Sequence, residues 1–439
     1  MKRRTLISLM AAAPVSSVLS ACGGGIAGGV SLRLLNASAA YPSLDLFVDD
    51  EREVSAVAYG NVSGYADVPD GGVTTTLTRT DSFTSLLAQS RTLDSDTEYT
   101  VVAYGWEGAL KSVVLAEDRD DADSGKCDFS VWNLGADAGP VDVYLTAQDD
   151  PLESATPNAS AVSGDEPSEF VSINAGTYRL RVTGADDKTD LRLDASGLVL
   201  ASKKSATLVV TAAAGGVLVN AMLVPQGAAV TTFLNALARV RVVAATTDNG
   251  TVIASIDGVQ LGATIRASTI GEYTLLPANS TAALAVSVNG VARPTSTLAL
   301  AAGSDTTVLV YGDAAAPLVS VLNDDNRLPT DATKYKIRLV HALANLGANL
   351  SLTVSFTRVA SEVVYGSSST FSNQTPNTEA DLSVSSPLSA TPVYTALDLP
   401  LEANTVYSFF MMGEAGTDTA VGVLLTERSE TAETDSTDG

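Results

Sequence analysis

The chain has 439 residues, 45% of them hydrophobic and 17% charged, with 50 Asp and Glu against 26 Lys and Arg. A formal charge of −24 repels phosphate backbones and excludes nucleic acid as a partner. One His and two Cys leave little material for Ser-His-Asp, Cys-His or zinc devices, and no P-loop or dinucleotide fingerprint is present, so no cofactor is expected.

In chain order, the first feature is a basic start, Lys2, Arg3 and Arg4, before an apolar stretch from Leu6 to Leu19 that Pro14 and serines interrupt. This is the pattern of a secretory segment, too short and broken for a spanning helix. Leu19-Ser20-Ala21-Cys22 follows and resembles the bacterial lipobox, in which small residues precede a Cys that is freed by a peptidase and carries a diacylglycerol. The resemblance implies a signal peptide over 1–21, lipidation of Cys22 that palmitate labelling would report, and anchorage in a membrane. Gly23, where an Asp would favour retention at the inner membrane, points to the outer membrane. The glycine-rich residues 22–29 then form a short tether.

Four segments open with a similar strand: Leu32–Asn36, Phe129–Asn133, Val240–Ala244 and Ile337–His341. Each is followed at nearly equal spacing, one residue longer in the fourth, by a second alternating stretch, "LDLFVD" from Leu44, "VDVYLT" from Val141, "VIASID" from Val252 and "LSLTV" from Leu350. An aromatic residue ahead of a turn recurs mid-repeat, at Tyr65, Phe170, Tyr273 and Phe371, and each repeat nears its end on a strand running into glycine, as in "YTVVAYG" from Tyr99. Strand-like alternation with Gly, Asp, Asn and Pro turns predicts an all-β chain of four tandem immunoglobulin-like β-sandwiches over 30–116, 126–224, 238–322 and 335–426. The joins after the first and third repeats resemble each other and the middle join does not, so the four are read as two double units. Only Ser82 to Arg91 and Thr231 to Leu237 suit a short helix. The apolar run Ser205 to Ala238 is long enough to span a membrane but is Val- and Thr-rich and reads as closing strands. The acidic segment 427–439 is expected to be a disordered tail.

These strands, with an Asp-[Leu/Val]-[Phe/Tyr] second strand and the Tyr65 to Pro69 turn, resemble the domain-of-unknown-function family numbered 4397, known from bacterial surface proteins and lipoproteins. The resemblance implies fold and location and supplies no catalytic residues. His341 aligns with Asn36, Asn133 and Ala244, a strand-end position where a polar group serves backbone hydrogen bonds, and Cys127 alternates with core residues. The acidic joins offer one ligand site: Asp118, Asp120, Asp121 and Asp123, with Asp324 and Asp325, would hold Ca²⁺ weakly between successive sandwiches and stiffen a rod. The expected function is a non-enzymatic envelope lipoprotein, structural or adhesive, with an envelope protein or glycan as partner. The alternative is a surface protein that binds glycan or calcium through loops or domain junctions.

Overall fold

The computed structural model describes residues 29–164 and 166–429, and it is built of strands, with one 3₁₀ turn at Ala136–Ala138 and no α-helix among the described residues. The first repeat contributes β1 (Val30–Asn36), β2 (Ser43–Val48), β3 (Glu51–Ala58), β4 (Ala66–Val68), β5 (Gly71–Arg79), β6 (Ser85–Leu93), β7 (Glu98–Trp106) and β8 (Ala109–Ala116). They form two sheets, β4-β1-β7-β8 and β3-β2-β5-β6, in which β1 runs parallel to β7. Alternate residues Leu32 and Leu34 of β1 and Val101 and Ala103 of β7 meet Leu44, Leu46 and Val48 of the facing sheet in one core.

The second repeat follows the same path with β9 (Lys126–Asn133), β10 (Val141–Thr146), β11 (Ala159–Val162), β12 (Val171–Asn174), β13 (Gly176–Gly184), β14 (Asp187–Leu200), β15 (Lys204–Ala212) and β16 (Val219–Pro225), plus β17 (Thr231–Phe233). Its sheets are β12-β9-β15-β16-β17 and β11-β10-β13-β14. Phe233 packs into this core, so the second sandwich extends past 224. In the third and fourth repeats the first strands, Leu237–Thr246 and Tyr335–His341, again lie parallel to the strands equivalent to β7, Asp305–Gly312 and Thr405–Met412.

The second-strand Asp has a local task. Asp45 Oδ1 accepts the Ala56 N–H at 2.8 Å, and Asp142 Oδ1 accepts the Ala161 N–H at 2.8 Å. Both alanines sit at positive φ, 56° and 47°, where a bulge interrupts pairing with the third strand. The buried carboxylate holds a backbone conformation that alanine rarely adopts by itself.

The sandwiches are not strung end to end. β1 and β7 are buried on both faces, and their outer residues Leu35 and Val102 pack against Trp132, Val209, Met222 and Val224 of the second repeat. Likewise Val243, Leu309 and Tyr311 of the third repeat pack on Val340, Phe410 and Met412 of the fourth. Each pair is therefore a stack of four sheets, and near-continuous apolar strands occur where a sheet is covered on both sides. This replaces the expected rod: the connecting segments do not separate the partners, whose sheets are in direct contact.

Two further expectations change. The expected helix over Ser82–Arg91 is replaced from Ser85 onward by β6, because pairing with β5 in the register Leu77↔Leu87 satisfies an edge that a helix would leave open. Thr231–Leu237 supplies β17 and the start of the next strand for the same reason. The last strand runs to Ser429, so residues 427–429 are folded, and the rest of the expected tail, 430–439, lies outside the described residues. No helix among the described residues is long and apolar enough to cross a membrane.

Candidate functional site

Cys22, the signal segment and residues 430–439 lie outside the described residues, as does all of the tether except Gly29. Among the described residues the acidic joins do not gather into a cation site, and no cluster of three or more His, Cys, Asp or Glu is arranged to hold a metal. Asp118, Asp120, Asp121 and Asp123 are exposed on the segment after β8. Asp324 is buried and committed to Arg338 at 2.6 Å, the Thr307 hydroxyl at 2.6 Å and the Tyr273 hydroxyl at 2.7 Å. Asp325 receives Arg327 at 2.6 Å and Lys336 at 3.2 Å. Protein cations thus occupy the oxygens that calcium would need.

The strand registers explain why an acid recurs there. Thr100 faces Leu115, Thr207 faces Val224, Thr307 faces Leu322 and Ser408 faces Leu425. Two residues beyond each partner stand Glu117, Gln226, Asp324 and Glu427. The same register places Arg33, Ser130, Arg241 and Arg338 on the adjacent first strand. Three repeats thus carry a buried Arg-acid pair over a hydroxyl, and the second repeat carries a neutral set, with Ser130 bonded to Thr207 at 2.9 Å.

In the first pair of sandwiches, Arg33 and Glu117 meet at 2.9 Å with both side chains almost wholly buried. Glu117 also accepts the Thr100 and Tyr65 hydroxyls and the Gly227 N–H, while Arg33 donates to the carbonyls of Pro225 and Ala228. The pair thereby bonds the first sandwich to the turn after β16 of the second. In the other pair both partners contribute charges: Arg241 grips Glu427 through two bonds of 2.8 and 2.6 Å, and Arg338 takes Asp324. Burial pushes the Asp324 carboxyl up, but Arg338 and Arg241 outweigh it and hold the group below the usual range. The mid-repeat aromatics lie over these cations, with Arg33 4.9 Å from the Tyr65 ring, Arg241 4.6 Å from Tyr273 and Arg338 4.9 Å from Phe371.

The strand-end position behaves as the repeats imply. Asn36 donates to the carbonyls of Tyr41 and Val57 and accepts the Ser38 N–H, and Asn133 makes the equivalent three bonds. In the fourth repeat, His341 Nδ1 accepts the Leu343 N–H at 3.3 Å while Nε2 lies 3.1 Å from the Ala348 carbonyl. Both ring nitrogens face backbone, and burial lowers the imidazole pKa. The Cys127 thiol is in the core, pushed up to about 11 by burial and then by Asp128.

A cleft of about 960 Å³ lies where the first two sandwiches meet the segment joining the third to the fourth. Tyr104, Trp106 and Lys111 form one wall, Asp137 and Thr211 a second, and Leu328 part of a third. Asp137 fixes all three, since its oxygens accept the Trp106 indole N–H at 2.6 Å and the Leu328 N–H at 2.6 Å. Arg327 stacks 4.6 Å from the Trp106 ring. Burial raises the Asp137 pKa, a shift those two hydrogen bonds oppose. Trp106 closes β7 half-buried, and no local sequence signal marks Asp137. The Arg-acid pairs had a signal, an Arg in the second position of three opening strands, which emerges only once strand register aligns it with the acid.

Residues 30–144 match the model of a family described as a domain of unknown function, DUF4397. The DUF4397 match covers the first sandwich and the opening two strands of the second, and the remaining repeats are related to it by shared register. No curated protein matches the chain. Among solved structures, a Bacteroides uniformis protein provisionally described as a cell adhesion protein is 14% identical over 46% of this chain and 99% of its own, with a TM-score of 0.20. A similarly described protein from Bacteroides ovatus is 12% identical over 46% of this chain and 96% of its own, with a TM-score of 0.20. At such overlap neither likeness bears on what this chain does.

Proposed function

We propose that the chain is a lipid-anchored protein of the outer membrane, without catalytic activity, whose paired sandwiches act as a structural or adhesive binding module in the cell envelope. The lipobox-like Leu19–Cys22 carries this reading: it stands at the end of a secretory segment and a few glycine-rich residues before β1 begins at Val30. The commitment of His341 to backbone partners and of Cys127 to the core supports a binding rather than a catalytic role. Metabolic labelling with palmitate tests the anchor. Label in the wild type that is lost in Cys22→Ala is expected, and equal label in both overturns it. The glycan-binding alternative is favoured by one observation, the cleft between the paired sandwiches, whose walls mix aromatic rings with hydroxyl and amide groups.

A further inference from the structure

Resting on the binding-module reading, we propose that the junction cleft is the module's ligand site and takes a short, uncharged oligosaccharide. Its size falls in the range of small-ligand sites, at about 960 Å³. Its walls are built rather than incidental, because Asp137 ties the Trp106 edge and the Leu328 backbone to one carboxylate. Tyr104 pairs with Lys111 and Trp106 with Ala109 across β7 and β8, so these four side chains project from one face of that sheet into the cleft. Thr211, 5% exposed, lines the cleft and its hydroxyl has no partner.

The chemistry of the walls narrows the occupant. A phosphorylated or acidic ligand would find a single cation, Lys111, opposite the Asp137 carboxyl in a chain of charge −24. A lipid tail would want unbroken apolar walls, but Asn133, Ser163, Thr211 and Thr330 interrupt them. An added peptide strand would pair along the open edge of β8, whereas the cleft is lined from the face of β7 and β8 by Tyr104, Trp106, Ala109 and Lys111. What remains is the hydroxyl groups of Ser163, Thr211 and Thr330 for hydrogen bonding beside Trp106 and Tyr104 for stacking against sugar C–H surfaces, the pattern that suits a neutral saccharide.

The test titrates the full chain in detergent with maltotriose, cellotriose and N-acetylchitotriose by calorimetry and tryptophan emission, Trp106 being one of only two tryptophans. Saturable heat with one sugar and a matching emission shift are expected in the wild type. Both should weaken at least tenfold in Ala332→Phe, which fills the mouth from an exposed position and leaves the cores untouched. No heat with any of the three at millimolar concentration overturns the proposal, as does undiminished affinity in Ala332→Phe. Heat that appears only in a chain ending at Ser429, which lines the cleft, also overturns it and assigns the space to the chain's own C-terminus. Attachment to isolated envelopes is scored in parallel: if it persists in Ala332→Phe while the sugars fail, the binding-module reading stands and the cleft assignment alone falls.

Discussion

Arg33 and Glu117 show how one position can be solved in two ways. Removing either partner strands a charge among buried groups, so Glu117→Gln alone should cost about 3–5 kcal/mol in urea unfolding. The second repeat places Ser130 and Gln226 in the same registers, so Arg33→Ser with Glu117→Gln should recover a large part of that loss. A double variant as unstable as the sum of the singles would contradict this. The strand-end position makes a parallel case: His341→Asn, the residue of the first two repeats, should be tolerated, whereas His341→Ala leaves the Ala348 carbonyl and the Leu343 N–H unserved and should cost about 1–3 kcal/mol. Asp305 carries a pH signature. Burial lifts its carboxyl to about 6 against the pull of Arg239 3.3 Å away, while the unfolded chain keeps the ordinary 3.8. Between those values the folded state binds more protons than the unfolded one, so this group's contribution to stability falls as pH rises from about 4 to 6. Denaturation midpoints across that window should show the trend weakened in Asp305→Asn.

At the scale of the element, the hairpin between the second and third strands of the fourth repeat departs from its relatives. The turn is Asp49-Asp50 in the first repeat and Asp257-Gly258 in the third, and it becomes Ser355-Phe356 in the fourth, with φ of 43° and 69°. Phe356 is 97% exposed, so a bulky side chain pays for a left-handed backbone and gains no burial. Phe356→Gly should therefore stabilise the protein by about 1 kcal/mol, read as a higher melting temperature, and a lower one would contradict the reasoning. Opening strands, second strands and glycine-closed seventh strands were all legible in the sequence, since their period-2 alternation and repeated spacing survive in three or four copies. β6 was misread because Leu86, Leu87, Ala88 and Gln89 favour a helix locally, and only the partner strand β5, distant information for a local pattern, decides the matter. The acidic joins looked like ligand sites because sequence shows Glu117 and Asp324 beside other acids and does not show the arginines that register brings to them.

For the whole molecule, the grouping into two double units was legible from the alike and unlike joins, but its physical form was not. A strand buried on both faces reads as apolar whether its second face meets another sandwich or a ligand, so sheet-on-sheet pairing emerges only from three-dimensional contacts such as Leu35 and Val102 on Trp132 and Met222. The junction cleft depends on that pairing, because its walls come from both partners of the first pair and from the segment within the second. Shared apolar contacts and buried ion pairs between partners predict that the paired sandwich is the unit of folding. The most direct measurement compares the fragments 238–429 and 335–429 by sedimentation and thermal unfolding. The pair should be monomeric with one cooperative transition, while the single sandwich, with Val340, Phe410 and Met412 uncovered and Arg338 deprived of Asp324, should self-associate or lose cooperative unfolding. A fragment 335–429 that is monomeric and melts as sharply as the pair would contradict the paired sandwich as the unit of this fold.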